Sequence, residues 1–526
     1  MIIRQQTYES GAYARQQRQR LSTAASRYIP VCMLVALFFA SCQPVVPEPE
    51  EPGRDTVTVV PSDTVTPPPA PQDSTPAEPP APVEPKSPDL SPDVDMLFDI
   101  EAVPEITLTL SEAAWNEYLT NLDVYPQNGL YVPAAFTFRK GEQVYHRDSV
   151  GLRPRGNTSR RRPEGNYGEP HRRGGQWHHA HFGVKFTEYT SGKRFFSYDR
   201  VILKWHKDDP AYCREVFCYD LFRRFGVWTA PRASYCRLSI HIEGDSKPVY
   251  MGVYELIENP RKGWLAQRQR EGHLTDTNGN LWKAAWGADL SNSDISRMGL
   301  NDDYGEVNPV YTLKTNKQSL AAAQQELHDF IAGMTPLPSG SETLHQWLEE
   351  HMDIDLFLRA YAVSVMVGMW DDYWCNQNNY FFYFDTQHRF HFVPFDYDNT
   401  LGTGLDTYGN PGTKDMLHWG SLEGDRILMR KVMSISEYRE RYCTYLRQIA
   451  TDPELMEPTA ASARVRQMQA RVRPYVYNDT GEDCVLEDRP SEWSSFPAYR
   501  LLTGGSGDGT GRESNFFRTK AANLPQ

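Results

Sequence analysis

The fifty residues from Asp353 to Gly402 constrain this chain most, because they leave little choice of structure and gather most of its candidate chemistry. They read DIDLFLRAYAVSVMVGMW, then DDYWCNQNNYFFYFD, then TQHRFHFVPFDYDNTLG. Leu356, Phe357, Ala360, Tyr361, Val363, Val365, Met366 and Val367 follow Asp353 and Asp355, acids placed where a helix N-terminus favours them, so the first piece predicts a buried helix. Residues 380–384 and 390–395 are aromatic and β-branched runs around the polar turn Asp385, Thr386, Gln387, His388, which predicts a hairpin.

This order brings Asp371 and Asp372 to the end of a helix, Asn376, Asn378 and Asn379 just after them, and Asp396 and Asp398 to the exit of a strand. Alone, the stretch Asp396 to Asn399 reads as a capped turn. Taken with the other acids and amides it is a hard-oxygen set of the kind that holds Mg²⁺ or Mn²⁺ on a phosphate. One further acid is then left to accept a proton.

The N-terminus predicts export. Arg4, Arg15, Arg18, Arg20 and Arg27 precede an apolar run, Ile29 to Ala40, that is too short to span a bilayer by itself. Phe39, Ala40, Ser41 and Cys42 resemble a bacterial lipobox with Cys42 as the lipid-bearing residue; a retained anchor or a plain cleaved signal are the alternatives. Residues 43–93 hold 16 of the 38 prolines and ten acids against Arg54 and Lys86. Such a segment cannot bury enough surface to offset its ordering entropy and is expected to be a disordered, self-repelling tether. It carries most of the net charge of −13, so that charge says little about the folded body's ligand. The expected organisation is a signal over 1–41, a tether over 42–93 and one domain over 94–526.

Within the body, a strand near 106–110 and a helix opened by Ser111 lead to Leu152, Arg153, Pro154, Arg155, Gly156, Asn157. Arg153 and Arg155 in such a turn offer guanidinium forks and backbone donors to a phosphate, or form a charged solvent loop. The basic, Gly-rich insert 160–181 has no metal-ligand spacing and no aromatic platform for nucleic acid, so it is expected to be a mobile surface loop. Lys185 lies on one short predicted strand and Lys204 on the next. Asp209 as N-cap, Pro210 at N1 and Gly226 at C′ bracket a helix in which Glu215 either reaches a strand lysine or is an exposed first-turn acid. Strands at 233–242 and 249–257 and a segment carrying Lys283 follow, then helices from 319 onward. The expected class is α+β, strand-rich to about 290 and helix-rich after it, with a cleft between two lobes. Without a CxxC pair, zinc-finger and thioredoxin readings have no support.

LRPRGNTS at 152–159, CREVFCYDLFRRFGV at 213–227, YMGVYELIE at 250–258, LWKAAWG at 281–287 and GMWDDY…NNYFFY…PFDYDNTLG at 368–402 resemble the CotH (spore-coat protein H) kinase family. The resemblance implies an atypical protein-kinase-like fold and ATP-dependent phosphorylation of Ser or Thr with Mg²⁺ or Mn²⁺, in an exported lipoprotein of a Bacteroides-like bacterium held at the outer membrane or surface by Cys42. It places the catalytic acid on Asp371 and the metal on Asp396 and Asn379, with Asn376 as the alternative amide. Arg153 and Arg155 become phosphate ligands, and Lys185 with Glu215 the strand–helix ion pair, with Lys204 or Lys283 as alternatives to Lys185. A kinase-like surface lipoprotein that has lost catalysis and serves binding or adhesion is the second reading.

Overall fold

In the first half of the chain, strands with one apolar face wrap round until that face is enclosed. The computed structural model describes residues 93–476 other than 158, 208, 210, 303–306, 404–410 and 421–425, together with the backbone of 485–486 and residues 516–526. The expected export signal, Cys42 and nearly all of the tether lie outside the described residues, which contain no helix long and apolar enough to cross a membrane. Residues Ala81–Gln526 form one compact unit.

Strands β1 (Glu105–Leu110), β2 (Val132–Lys140) and β3 (Gln143–Arg155) are followed by the two-residue β4 (Gln176–Trp177). Next come β5 (His181–Lys185), β6 (Arg200–Trp205), β7 (Ala233–Ile242) and β8 (Val249–Glu258). They close a barrel in the order β1-β2-β3-β5-β6-β8-β7. Parallel pairing of β1 with β7 makes the seam, and every other pairing in the barrel is antiparallel. Closure leaves no open edge. Leu108, Phe136, Phe138, Leu152, Phe182, Leu203 and Leu256 fill the interior. On β6 the side chains alternate, so Val201, Leu203 and Trp205 point inward while Ile202 and Lys204 point out. Ile202, Val253 and Ile257 on that outer side share a core with the helix Arg214–Arg224.

A second sheet runs β10 (Met298–Gly299), β11 (Tyr311–Leu313), β9 (Asn280–Ala284), β12 (Tyr380–Phe384), β13 (Phe390–Pro394). The predicted hairpin is there, pairing Tyr380 with Pro394, and both its strands are buried throughout. Strands buried on both faces need partners on their flanks, and β9 supplies one by pairing Lys283 with Phe381. This pairing crosses the boundary near residue 290, so the strand-first, helix-later order of the chain holds while the layers are not fully segregated. The short β14 (Val485–Leu486) lies parallel to β4.

The helix Ile354–Met366 is buried beneath the hairpin, capped by Asp353, whose carboxylate accepts the Leu356 N–H at 3.0 Å. The helix Ser436–Thr451 packs on it, with Tyr442 stacked on Tyr361 at 4.7 Å. Two expectations need correction. The helix carrying Glu215 starts at Arg214 with Cys213 as its N-cap, not at Asp209. Asp209 instead folds under the connection, accepting the N–H groups of Ala211, Cys213 and Arg214; Pro210 lies outside the described residues. The insert 160–181 is not a loose loop. Glu164 is buried and accepts the Trp115 indole N–H at 2.7 Å and His171 at 2.9 Å, Trp177 stacks on Trp115, and His181 opens β5. Its polar residues have partners far away in sequence, which hold it against the barrel.

Candidate functional site

Lys204 leaves β6 on the face that the helix Arg214–Arg224 covers, and its ammonium meets three carboxylates. It pairs with Glu215 from that helix, with Asp396 at 2.5 Å and with Asp398 at 3.0 Å. Glu215 is buried, and its second oxygen accepts the Tyr397 N–H at 3.3 Å. One turn along the same helix, Tyr219 accepts the Asp396 N–H at 2.9 Å. The helix therefore fixes the turn after β13 through its backbone as well as through the ion pairs. Asp396 has φ of 66°, and Gln377, Asn379 and Leu401 are likewise left-handed. Such strain in non-glycine residues concentrates at functional sites.

Burial works against the charge on Lys204, yet Asp396, Asp398 and Glu215 raise its pKa well above the usual lysine range. Burial likewise opposes ionisation of Asp396, but Lys204, Arg155 and Lys283 outweigh it and hold the carboxyl down to about 2. Burial pushes Asp398 up to about 7, with Asp396 and Glu215 adding to the effect and Lys204 resisting it.

Asp371 faces this corner from the loop after the helix Ile354–Met366. It accepts amide N–H groups from Asn376 at 2.6 Å, Asn379 at 3.0 Å and Asn399 at 3.4 Å. Burial raises its pKa, the amide of Asn376 opposes that, and the charge of Asp396 adds to it. A base so placed takes a proton more readily than an exposed aspartate. Asp372 has a structural part: fully buried, it caps the short turn Tyr373–Asn376 by accepting the N–H groups of Trp374 and Cys375, and the Tyr397 hydroxyl lies 3.4 Å from it.

Cations gather on one side of this acidic corner. Arg153 and Arg155, two residues apart on β3, point away from the barrel core. Arg155 lies 5.5 Å over the Phe395 ring and Arg153 5.2 Å over Tyr131. Phe395 packs on Phe381, over which Lys283 and Arg261 stand at 6.0 and 5.8 Å. Burial, then Arg155, lowers Lys283 to about 8, with Asp396 opposing.

Oxygens of Glu215, Asp396 and Asp398 all lie within 4.8 Å of one another, a donor set suited to Mg²⁺ or Mn²⁺. The other such group among the described residues, His206 with Asp209 and Glu255, is fully buried, and its Asp209 is already taken up by three N–H groups and Arg214 at 2.5 Å.

The family model described as CotH kinase protein matches residues 152–496, which takes in both the cation-bearing strands and the acidic corner. The chain belongs to the CotH kinase family. It is also 23% identical over 203 residues to spore coat protein homolog 1 of Rhizopus delemar, a match covering 38% of this chain and 30% of that protein. The chain thus spans under a third of the length of this curated relative.

Among the residues singled out in this CotH family member, the structure brings Glu215, Asp371, Asp396 and Arg155 together. Arg153 stands further out beside Tyr131. Asn379 reaches Asp371 through its amide nitrogen, and Asn376 does the same, so both orient the acid. Lys185 is the correction: it pairs with its neighbour Glu188 at the end of β5, and Lys204 makes the bond to Glu215. The reason is register. Lys185 lies opposite Arg200 on β6, whereas Lys204 lies opposite Glu255 on the outer face against which the helix packs. In the sequence Asp398 is visible only as half of an acidic pair, and nothing signals Arg261, which reaches the Phe381 ring from a separate connection.

Proposed function

We propose that this CotH kinase-family protein transfers the γ-phosphate of ATP, with Mg²⁺ or Mn²⁺, to Ser or Thr of a surface or periplasmic protein. We further read the barrel and the helix-rich remainder as the two lobes of an atypical kinase, exported as a lipoprotein through Cys42. The observation that carries this reading is the convergence of Lys204, Glu215, Asp396 and Asp371 from four separate segments. Phosphoryl transfer needs positioning and charge stabilisation more than covalent chemistry from the protein.

Glu215 holds Lys204 in place, and Lys204, Arg155 and Lys283 supply positive charge to the phosphates. Asp396 and Asp398, with Glu215 behind them, provide the oxygens for the metal, and the amide oxygen of Asn379 remains available to it. A bound divalent ion would neutralise charge developing on the transferred group. Asp371, oriented by its three amides, accepts the proton of the acceptor hydroxyl as oxygen attacks.

Incubation with γ-labelled ATP and an equimolar panel of envelope proteins tests this. Label reaches protein with Mg²⁺ or Mn²⁺ present, EDTA stops transfer, and restored metal revives it; transfer undiminished in EDTA would contradict the metal-dependent reading. A second consequence concerns pH. Lys283 is charged below about 8 and neutral above it, and a bound polyphosphate restores its charge. Binding at pH 9 then takes up about one proton through Lys283, whereas at pH 6.5 Lys283 takes up almost none and Asp398, held at about 7, gives up its proton to the metal. Calorimetry in buffers of different ionisation enthalpy measures this uptake, and equal uptake at both pH values would remove Lys283 from the phosphate site.

A further inference from the structure

The cationic side of the acidic corner extends past Lys204, Arg155 and Lys283. Lys204, Arg155 and Lys283 are the cations whose fields act on Asp396. Beyond them stand Arg153, Arg261 and Lys314, brought from β3, from the connection after β8 and from the end of β11. Among the described residues none of these three forms an ion pair. Arg153 lies over Tyr131 and Arg261 over Phe381, Arg261 donates to the Pro260 carbonyl, and Lys314 donates to the Asn301 amide oxygen at 2.8 Å. The guanidinium Nε of Arg153 is buried with no hydrogen-bond partner. Burial, then mutual repulsion, lowers the pKa of both Arg261 and Lys314 well below the ordinary ranges: Arg200 and Arg153 act on Arg261, and Arg261 and Lys283 on Lys314. Cations held together at this cost, without carboxylates, mark a place for an anion.

At the far end of β9, Trp286 is 73% exposed. Two residues on, the Ala288 N–H donates to the Gln377 carbonyl at 3.1 Å, so the turn bearing Trp286 abuts the loop that carries Asp371. An exposed tryptophan is a good platform for proline-containing chain.

We propose that the outer cations Arg153, Arg261 and Lys314, with Trp286, dock an acidic, proline-containing polypeptide segment and present its Ser or Thr to Asp371. This rests on the kinase reading above, whose acceptor it specifies. Segment 48–78 of another copy of this chain has that chemistry: seven acids against Arg54, eight prolines and seven Ser or Thr, with Thr56, Ser62, Thr64 and Ser74 each beside an aspartate. In the transfer step the hydroxyl oxygen bonds to the γ-phosphorus, the bond from that phosphorus to the bridging oxygen breaks, ADP leaves with the electron pair, and the hydroxyl proton passes to Asp371.

The test uses the full chain and a fluorescent synthetic peptide of residues 48–78, beside the same peptide with every Asp and Glu replaced by Asn and Gln. Anisotropy without nucleotide reads docking, mass spectrometry after Mg·ATP reads phosphate on the peptide, and ATP titration of the same samples reads the nucleotide site. The acidic peptide binds at least tenfold tighter than the neutral one, Arg261→Ala with Lys314→Ala removes that preference while Arg261→Lys keeps it, and phosphate appears on the acidic peptide. Equal binding of the two peptides, or a preference untouched by the double variant, overturns the docking site even where ATP binds normally. Docking without phosphate in a protein that binds ATP overturns the acceptor assignment. Charge-dependent docking in a protein that binds no ATP upholds the surface and sinks the kinase reading instead.

Discussion

Asp371→Asn lowers phosphoryl transfer by about 10²–10⁴-fold and leaves Mg·ATP affinity within about threefold. The asparagine keeps the volume of the aspartate but cannot take the acceptor's proton. Asp371 makes no ion pair with Lys204, and its hydrogen bonds run to Asn376, Asn379 and Asn399 rather than to the phosphate-facing cations. Binding and chemistry should therefore separate at this residue. Single-turnover transfer measured beside ATP titration checks the separation; a variant that transfers at the wild-type rate would return Asp371 to a purely structural part.

Lys204→Met acts on both stability and binding. Lys204 is the counter-ion of Glu215, Asp396 and Asp398, and removing one partner from a buried ionic group costs about 3–5 kcal/mol. Asp396 opens to solvent at 38% of its side chain, which puts the expected loss at the low end, about 3 kcal/mol. Urea unfolding measures it, and millimolar Mg²⁺ or Mn²⁺ recovers part of the loss, because the three carboxylates then face a divalent ion without the ammonium among them. Lys185→Ala is the control. Its pair with Glu188 joins the last residue of β5 to the turn after it, is half-buried, and is worth about 1 kcal/mol or less. Equal effects of the two substitutions would mean that the strand–helix pair has been assigned to the wrong lysine.

What the sequence made legible follows from how local each signal is. The helix Ile354–Met366 and the hairpin β12–β13 are long runs whose own composition demands burial, and Asp371 and Asp396 are fixed to their ends. Both acids could thus be placed by sequence order alone. The choice between Lys185 and Lys204 could not, since each sits on a short strand and only the packing of the helix Arg214–Arg224 on the outer face of β6 decides which one meets Glu215. The same holds for the barrel seam, where β1 pairs with β7 across more than a hundred residues, and for Arg153, Arg261 and Lys314, which arrive from a strand, a connection and a strand end far apart in the chain. The insert 160–181 departs from the expected loose loop because His171 and Glu164 look like solvent-facing residues until Trp115 and Asp245, which hold them, are in place.

Calorimetric titration of ATP into the full chain with Mg²⁺ or Mn²⁺, beside Asp396→Ala, tests the central claim most directly, because it asks about the acidic corner without needing to know the acceptor. Asp396 is the carboxylate that Lys204, Arg155 and Lys283 hold down to about 2, and in the proposed reading it is the one that faces the metal. The account predicts metal-dependent binding in the wild-type chain and at least a ~100-fold loss in the variant, about 2.7 kcal/mol. Binding that persists in Asp396→Ala, or that needs no metal, would contradict it.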